Sequence, residues 1–369
     1  MIQKSIAFIS NSLTRLESRF GLFPSSLILG SVFFIAAMMY VQPVFHVTFH
    51  GIGFSRLSEN PFDFSRQEPL RYRILTPFAG YLLFLRGPNF FILPLLVAWL
   101  FPGVVYFQYR KKNAEAIDAF FLSCFIAFSC VVLLPLVAPG YTDVVTWLFI
   151  FLAFARIGNI LLSVIFFSLA LLNHESSFVL LPAIILYCYQ QNKISFIRIL
   201  FFYTLACIPH LCYRYFVLTH SDTLYGLSFY FSKGNILFSM KNLFKYLPAS
   251  VFYTFKLWWI FPLCCLAWAF LSKKYLQCLI LILIIAGAFS LLIISYDYTR
   301  MLVIAFPAVL LSYQWMMKSF NAEKFRKFSF VLIVLNFFIL QYQFNYDGGQ
   351  PMFPWVLNNL SAIFGTPLI

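Results

Sequence analysis

Residues 144–189 read VVTWLFIFLAFARIGNILLSVIFFSLALLNHESSFVLLPAIILYCY, three apolar runs broken only by a turn at Arg156 and a second turn at His174 and Glu175. A helix at the surface of a water-soluble domain keeps its apolar residues on one stripe, whereas these runs are apolar on every side and need an apolar surrounding on every side. Read as Val144–Ile157, Ile160–Leu172 and Phe178–Tyr189, each falls short of the roughly 20 residues that cross a bilayer unaided. Longer neighbours in a helix bundle must therefore shield them from lipid.

Working outward, eight further apolar runs are found: Leu22–Val47, Phe90–Tyr109, Ile117–Val137, Ile199–Leu218, Ser250–Leu271, Leu276–Ser295, Met301–Met317 and Phe328–Tyr342. With 62% hydrophobic and only 10% charged residues in 369, against the ~25% charge of a soluble protein, most of the surface must face lipid. The expected fold is an all-α polytopic membrane protein, one transmembrane domain over 1–369, with about 11 transmembrane helices. The ends of that domain are a cytoplasmic amphipathic segment at 1–21 and an outer carboxyl-terminal tail at 343–369. Two long outer segments, 46–89 and 219–249, lie between. The apolar stretch Ile74–Leu85 in the first of these is too short to span, which makes that loop amphipathic and lays a helix along the outer surface.

With a cytoplasmic amino terminus, 15 of the 26 Lys and Arg residues face inward, including the Arg110-Lys111-Lys112 run, and 10 face outward, with Lys256 inside an apolar helix. This is the bias of the positive-inside rule, and it places the chain in a plasma (inner) membrane with an extracytoplasmic carboxyl terminus. The net charge of +14 is then a topology signal. No basic domain stands outside the membrane, and no nucleic acid partner is expected. The carboxylates sort the other way. Glu59, Asp63, Glu68, Asp143, Glu175, Asp222, Asp297 and Asp347 face outward, while only Glu17, Glu115, Asp118 and Glu323 face in. The eight cysteines all lie in apolar runs without zinc-ligand spacing, as helix-bundle fillers do.

Four outer constellations carry chemistry. The first loop sets Glu59 and Asp63 near Arg71 and Arg73, a pair able to grip a phosphate beside a carboxylate able to act as a base; alternatively its charges only sit among lipid headgroups. In APGYTDVV, Asp143 heads a short helix, as a helix-end charge or as a ligand for a metal or an acceptor. His174 and Glu175 interrupt two apolar helices, where an ionisable pair is costly and is read first as functional. In SYDYTRML, Asp297 and Arg300 stand at i and i+3 with Tyr298 between them, an intrahelical pair or the anchor of a lipid phosphate.

In this order and on one side, these motifs resemble the C-type (GT-C) superfamily of membrane glycosyltransferases, which includes protein mannosyltransferases and aminoarabinose transferases. The resemblance covers roughly residues 22–315 and rests on Glu59 and Asp63, on GYTD, on LLNHESSFVLLP and on YDYTR. It implies a GT-C-like bundle that moves a sugar from a polyprenyl-phosphate donor to a lipid, glycan or protein acceptor on the extracytoplasmic face. By position, Asp63 would be the base, with Glu59 and Asp143 the next candidates. Arg71, Arg73 and Arg300 would bind the donor phosphate, and His174, Glu175, Asp297 and Tyr298 would support the site. A divalent metal, where one is used, would find its ligands among Asp143, Glu175 and His174. The chain departs from the family pattern in having His174 where Lys or Arg is common and in lacking an adjacent acid pair in the first loop. Competing readings are a surface-polysaccharide polymerase or ligase, with its determinants in the 219–249 segment, and a transporter or flippase built around Lys256.

Overall fold

The computed structural model describes residues 1–48, 51–64, 70–220, 231–295, 297–345 and 348–352. Arg66, Glu68, Asp222, Asp347 and the end of the tail lie outside the described residues. In chain order the helices are α1 (Ile2–Phe20), α2 (Leu22–Tyr40), α3 (Gly51–Glu59), α4 (Leu75–Leu82), α5 (Ile92–Lys111), α6 (Ala116–Ala127), α7 (Cys130–Val137), α8 (Asp143–Ala155), α9 (Ile160–Asn173), α10 (Leu181–Gln191) and α11 (Phe196–His220). They continue as α12 (Lys233–Phe255), α13 (Ile260–Leu271), α14 (Tyr275–Leu291), α15 (Tyr298–Leu302), α16 (Phe306–Ser319) and α17 (Ala322–Phe338), and an antiparallel hairpin of β1 (Gln341–Asn345) and β2 (Gly348–Met352) follows.

Six helical stretches among the described residues are long and apolar enough to cross a membrane: Leu22–Tyr40, Gly87–Lys111, Ala116–Val137, Phe196–His220, Lys233–Leu271 and Tyr298–Ser319. Two of them, Ala116–Val137 and Tyr298–Ser319, are 83% buried and form the centre. By contrast α2 and α11 are peripheral, and they turn outward Val32, Ile35 and Met39 on one and Phe201, Ile208 and Leu211 on the other. An apolar band of that extent is stable only against lipid. The protein is thus a membrane-embedded helical bundle.

The short helices behave unequally. One of them, α8, is largely buried, but α9 turns Leu161, Leu162 and Ile165 outward and α10 turns out Tyr189, so full shielding of all three is corrected to shielding of α8 and of one face each of α9 and α10. The packing of α9 on α8 and α11 buries only its opposite side.

Close helix contact is bought at small residues. A side chain at Gly103 of α5 would press within 2.4 Å of the Ser26 carbonyl oxygen of α2, which leaves room for glycine alone.

Charge pairing divides the bundle into two ends. At one, Arg110 of α5 grips Glu17 of α1 (Nε to Oε1, 2.7 Å) and Arg326 of α17 grips Asp118 of α6 at 2.7 Å and 3.0 Å. Burial opposes ionisation of Glu17, yet the hydrogen bonds from Arg110 and Tyr106 hold its carboxyl below the ordinary value. The four charged residues, Glu17, Arg110, Asp118 and Arg326, belong to the set the sequence assigns to the cytoplasm. The outward set pairs at the other end.

Two regions differ from expectation. The chain after α17 was expected to stay helical to Tyr342, yet the helix ends at Phe338 and the alternating Gln341-Tyr342-Gln343-Phe344 pairs as a strand with Gly348–Met352. The all-α expectation is corrected accordingly. Residues 233–249, expected within the second outer loop, belong to α12, whose start is capped by the Ser232 hydroxyl accepting from the Asn235 amide at 3.2 Å.

Between α12 and α13 the backbone breaks at Lys256, which adopts φ +51 in the left-handed region that L residues avoid. Its ammonium is buried and donates to Tyr40 Oη (2.7 Å), the Ile339 carbonyl (2.8 Å) and the Asn336 carbonyl (3.4 Å). A lone charge in an apolar helix is thereby explained as a clamp on the carbonyl end of α17.

Candidate functional site

The first loop folds into a helical layer over the outward-charge end. Phe54 and Leu57 of α3 and Phe90 make a small core of their own, and Gly80 of α4 leaves room for the Phe90 ring. Ile74–Leu85 thus holds a short helix, α4. The layer docks through glycine on glycine. Gly51 at the head of α3 lies against Gly140, whose φ of +98 suits glycine and turns the chain into α8. That turn puts Asp143 in the first turn of α8, where the helix end favours a negative charge.

At the end of α9 the backbone extends at His174 (φ −157, ψ +121). The His174 ring then caps the following 3₁₀ turn, its Nδ1 accepting from the Ser176 amide at 3.1 Å. With Nδ1 accepting, the proton sits on Nε2, which points to Asp143 Oδ1 at 3.5 Å. Burial, aided by the positive charge of Arg73, pushes the imidazole down to about 4, so at neutral pH it is uncharged. Its contact with Asp143 is therefore not an ion pair.

Glu175 follows, and Arg73 of the first loop grips it with two hydrogen bonds, Nε to Oε2 at 3.0 Å and Nη2 to Oε1 at 2.8 Å. Burial resists the ionised form, but the Arg73 charge and its hydrogen bonds prevail and hold the Glu175 carboxyl well below the usual range. On the far side of Asp143, Arg300 brings Nε to 3.3 Å of Oδ1 and donates from Nη1 to Asp297 Oδ2 at 3.0 Å, while its guanidinium lies over the Tyr141 ring at 4.6 Å. Asp297 accepts a further bond from Gln343 of β1 at 3.2 Å. The result is one chain of contacts, Arg73–Glu175–His174–Asp143–Arg300–Asp297, drawn from four separate parts of the sequence.

Its charge balance is informative. Two arginines face three carboxylates across a neutral histidine, so Arg300 is shared by Asp297 and Asp143. Glu175 and Asp297 receive close charge-assisted hydrogen bonds, whereas the side-chain nitrogens that face Asp143, Arg300 Nε and His174 Nε2, stand at 3.3 Å and 3.5 Å. Asp143 is the surplus carboxylate of the network.

The other candidates take different places. Arg71 is 1% exposed and turned into its own loop, donating to the Asp63 carbonyl at 2.6 Å with its guanidinium over Phe64, while Tyr213 donates to its carbonyl at 3.1 Å. It braces the layer that carries Arg73. Asp63 joins this brace through its main chain, and Glu59 lies against the backbone of Gly87. Tyr298 is buried and donates to the Ser239 carbonyl at 3.0 Å, tying the Arg300 helix to α12. A divalent metal does not fit the donor set. Both Glu175 oxygens accept from Arg73, and His174 has one nitrogen accepting from Ser176 and the other protonated. No group of three metal-ligating side chains forms among the described residues.

Sequence reading missed Asn173. Its Oδ1 accepts from the Thr76 amide (3.1 Å) and hydroxyl, and its Nδ2 donates to the Thr142 carbonyl (2.8 Å) and Thr146 Oγ1 (2.7 Å). One buried amide thus fixes α4, α8 and α9 around the site. The available signal was a polar residue ending an apolar run one position before His174. Gln343 and Thr299, which accepts from the Phe344 amide at 2.8 Å, were also missed, because both act through the unforeseen hairpin.

Compared with known proteins, the chain matches no protein-family model and no curated sequence.

Proposed function

We propose that this protein is a membrane glycosyltransferase that moves a sugar from a polyprenyl-phosphate-linked donor to a lipid, glycan or protein acceptor at its extracytoplasmic end. The observation that carries the reading is the convergence of Arg73, Asp143, His174, Glu175, Asp297 and Arg300 into a single, largely buried network. On this reading the chain crosses a plasma (inner) membrane about eleven times, α8, α9, α10, α14 and α17 adding crossings to the six long stretches. Its amino terminus is cytoplasmic and its carboxyl terminus extracytoplasmic.

The chemistry needs one base and one partner for a leaving phosphate. Asp143 supplies the base, because it is the carboxylate without an arginine of its own; Asp63 and Glu59 are the next candidates, placed in the loop layer above. The acceptor hydroxyl gives its proton to the carboxylate as its oxygen bonds to the anomeric carbon. The bond from that carbon to the phosphate oxygen breaks, and the phosphate departs with the lipid. Arg300 and Arg73 neutralise the charge that develops on it, exchanging part of their hold on Asp297 and Glu175 for the phosphate oxygens. Neutral His174 lies beside the Asp143 carboxylate, its Nε2 at 3.5 Å, and does not compete for the proton.

Against a transporter built on Lys256 stands the fact that its ammonium is already enclosed by Tyr40, Asn336 and Ile339. The test is reconstitution of the full chain in liposomes with a panel of polyprenyl-phosphate sugars, with free polyprenyl phosphate and glycosylated product measured by mass spectrometry. Release of polyprenyl phosphate coupled to product is expected. No consumption of any donor across acceptors of all three classes would sink the reading.

A further inference from the structure

Between α6, the turn that joins α12 to α13, and α17 lies a cavity of about 250 Å³, lined by Cys124, Phe128, Trp258, Asn336 and Phe337 among others. An apolar cavity of about 150 Å³ stays dry and admits benzene, so this one has room for a larger ring compound. Its mouth is on the lipid side, where Val334 is 39% and Phe338 77% exposed on α17. Asn336 stands roughly 20 Å along α17 from its charged start, at about 1.5 Å per residue, a depth inside a hydrocarbon core about 30 Å thick. No charged side chain among the described residues lines the cavity. A charged headgroup would lose its hydration there and find no counter-charge.

The walls nevertheless include one polar hydrogen that is buried and unused. Trp258 is 2% exposed, with Phe125 and Phe261 packed against its ring at 5.2 Å and 5.6 Å between centroids. Its Nε1 has no acceptor among the described residues. Two other indoles in the bundle are paired, Trp99 donating to Ser31 Oγ at 3.0 Å and Trp259 to the Val251 carbonyl at 2.6 Å. Asn336 is committed elsewhere, its Oδ1 accepting from the Leu257 amide (3.0 Å) and its Nδ2 donating to the Leu332 carbonyl (2.8 Å). A buried N–H without an acceptor is costly, and an occupant that carries an acceptor recovers that cost. Water would need about two to four polar partners, which these walls do not offer.

We propose that this cavity takes up an uncharged, lipophilic carbonyl compound from the bilayer, its rings against Phe128 and Phe337 and its carbonyl oxygen accepting from the Trp258 indole N–H. The site is separate from the transfer chemistry proposed above and stands or falls independently of it.

The test uses the full chain in phosphatidylcholine nanodiscs and, as probe, benzophenone, a lipophilic ketone that crosslinks on illumination. Labelling of peptides containing Phe128 or Ile333 to Phe338 should saturate with probe, against a background on the lipid-facing α2 and α11 that rises linearly. At equal mole fraction in the bilayer, fluorenone should displace the saturable label about fivefold more effectively than fluorene, its hydrocarbon counterpart, from the net worth of one hydrogen bond. Trp258→Phe keeps an aromatic wall and removes the donor; there the two competitors should become equal while the site still labels. If that variant does not fold, the wild-type comparison of the two competitors decides alone. Label that never saturates at these peptides, equal displacement by fluorene in the wild type, or a ketone preference that survives in Trp258→Phe would each overturn the proposal.

Discussion

Arg73→Ala removes the side chain that reaches from the first loop into the bundle and holds Glu175 by two hydrogen bonds. Breaking a fully buried pair and stranding its partner costs about 3–5 kcal/mol. The Glu175 side chain is 29% exposed, so water rehydrates part of the freed carboxylate and the expected loss is smaller, about 2–3 kcal/mol. Glu175→Gln in the Arg73→Ala background removes the stranded charge. The double variant should then recover about 1–2 kcal/mol relative to additivity, the coupling expected of contacting residues.

The sign with pH is fixed by the lowered Glu175 carboxyl. The pair contributes fully above the ordinary value of 4.5 and loses its contribution as pH falls through the lowered one, so Arg73→Ala should matter as much at pH 5 as at pH 7. Unfolding in mixed detergent micelles can be followed by a thiol-reactive dye that reports opening of the buried Cys124, Cys188 and Cys265, which are free. An Arg73→Ala protein within about 0.5 kcal/mol of wild type, or a double variant whose losses simply add, would refute the reasoning.

Other expectations are independent of this pair. His174 is neutral throughout the physiological range, so transfer should show no titration near 6.5 that His174→Asn abolishes; an ionisation of the ring seen there by NMR would contradict its assigned state. Lys256→Met removes three hydrogen bonds, while Tyr40 still donates to the Ile339 carbonyl and the Ile339 amide to the Asn336 carbonyl, and should destabilise by about 1–3 kcal/mol in the same unfolding assay. Reporter fusions should find the chain cytoplasmic before Lys4 and extracytoplasmic after Asp347, and a cytoplasmic signal after Asp347 would break the odd count of crossings.

Much of the site was legible because charge is scarce in this chain, so each ionisable residue inside or beside an apolar run had to have a reason. Asp143, Glu175 and Arg300 could be assigned to one face from the parity of the crossings alone. Their contact could not, since it depends on how α8, α9 and α15 rotate about their axes. Arg71 and Arg73 looked equivalent two positions apart, yet one turns into its loop and the other crosses to Glu175. Periodicity cannot distinguish them in an irregular loop. Asn173 was overlooked because an amide carries no charge, although its four hydrogen bonds inside the bundle make it as constrained as any ion. The number of crossings was only partly legible. Length and hydropathy pick out six stretches, while α17 opens with the polar AEKFRKF and α8 to α10 are short, so their burial is set by neighbours rather than by their own composition.

The most direct test of the central claim separates rate from binding at the two ends of the Asp143–Arg300 contact. With a competent polyprenyl-phosphate sugar, Asp143→Asn should bind donor as wild type does and transfer roughly 10²-fold or more slowly, because shape is kept and basicity lost. Arg300→Ala should weaken donor binding together with rate. Wild-type transfer by Asp143→Asn, with the loss appearing instead in Asp63→Asn, would move the base into the loop layer; wild-type transfer by Asp143→Asn, Asp63→Asn and Arg300→Ala alike would contradict a catalytic role for the network.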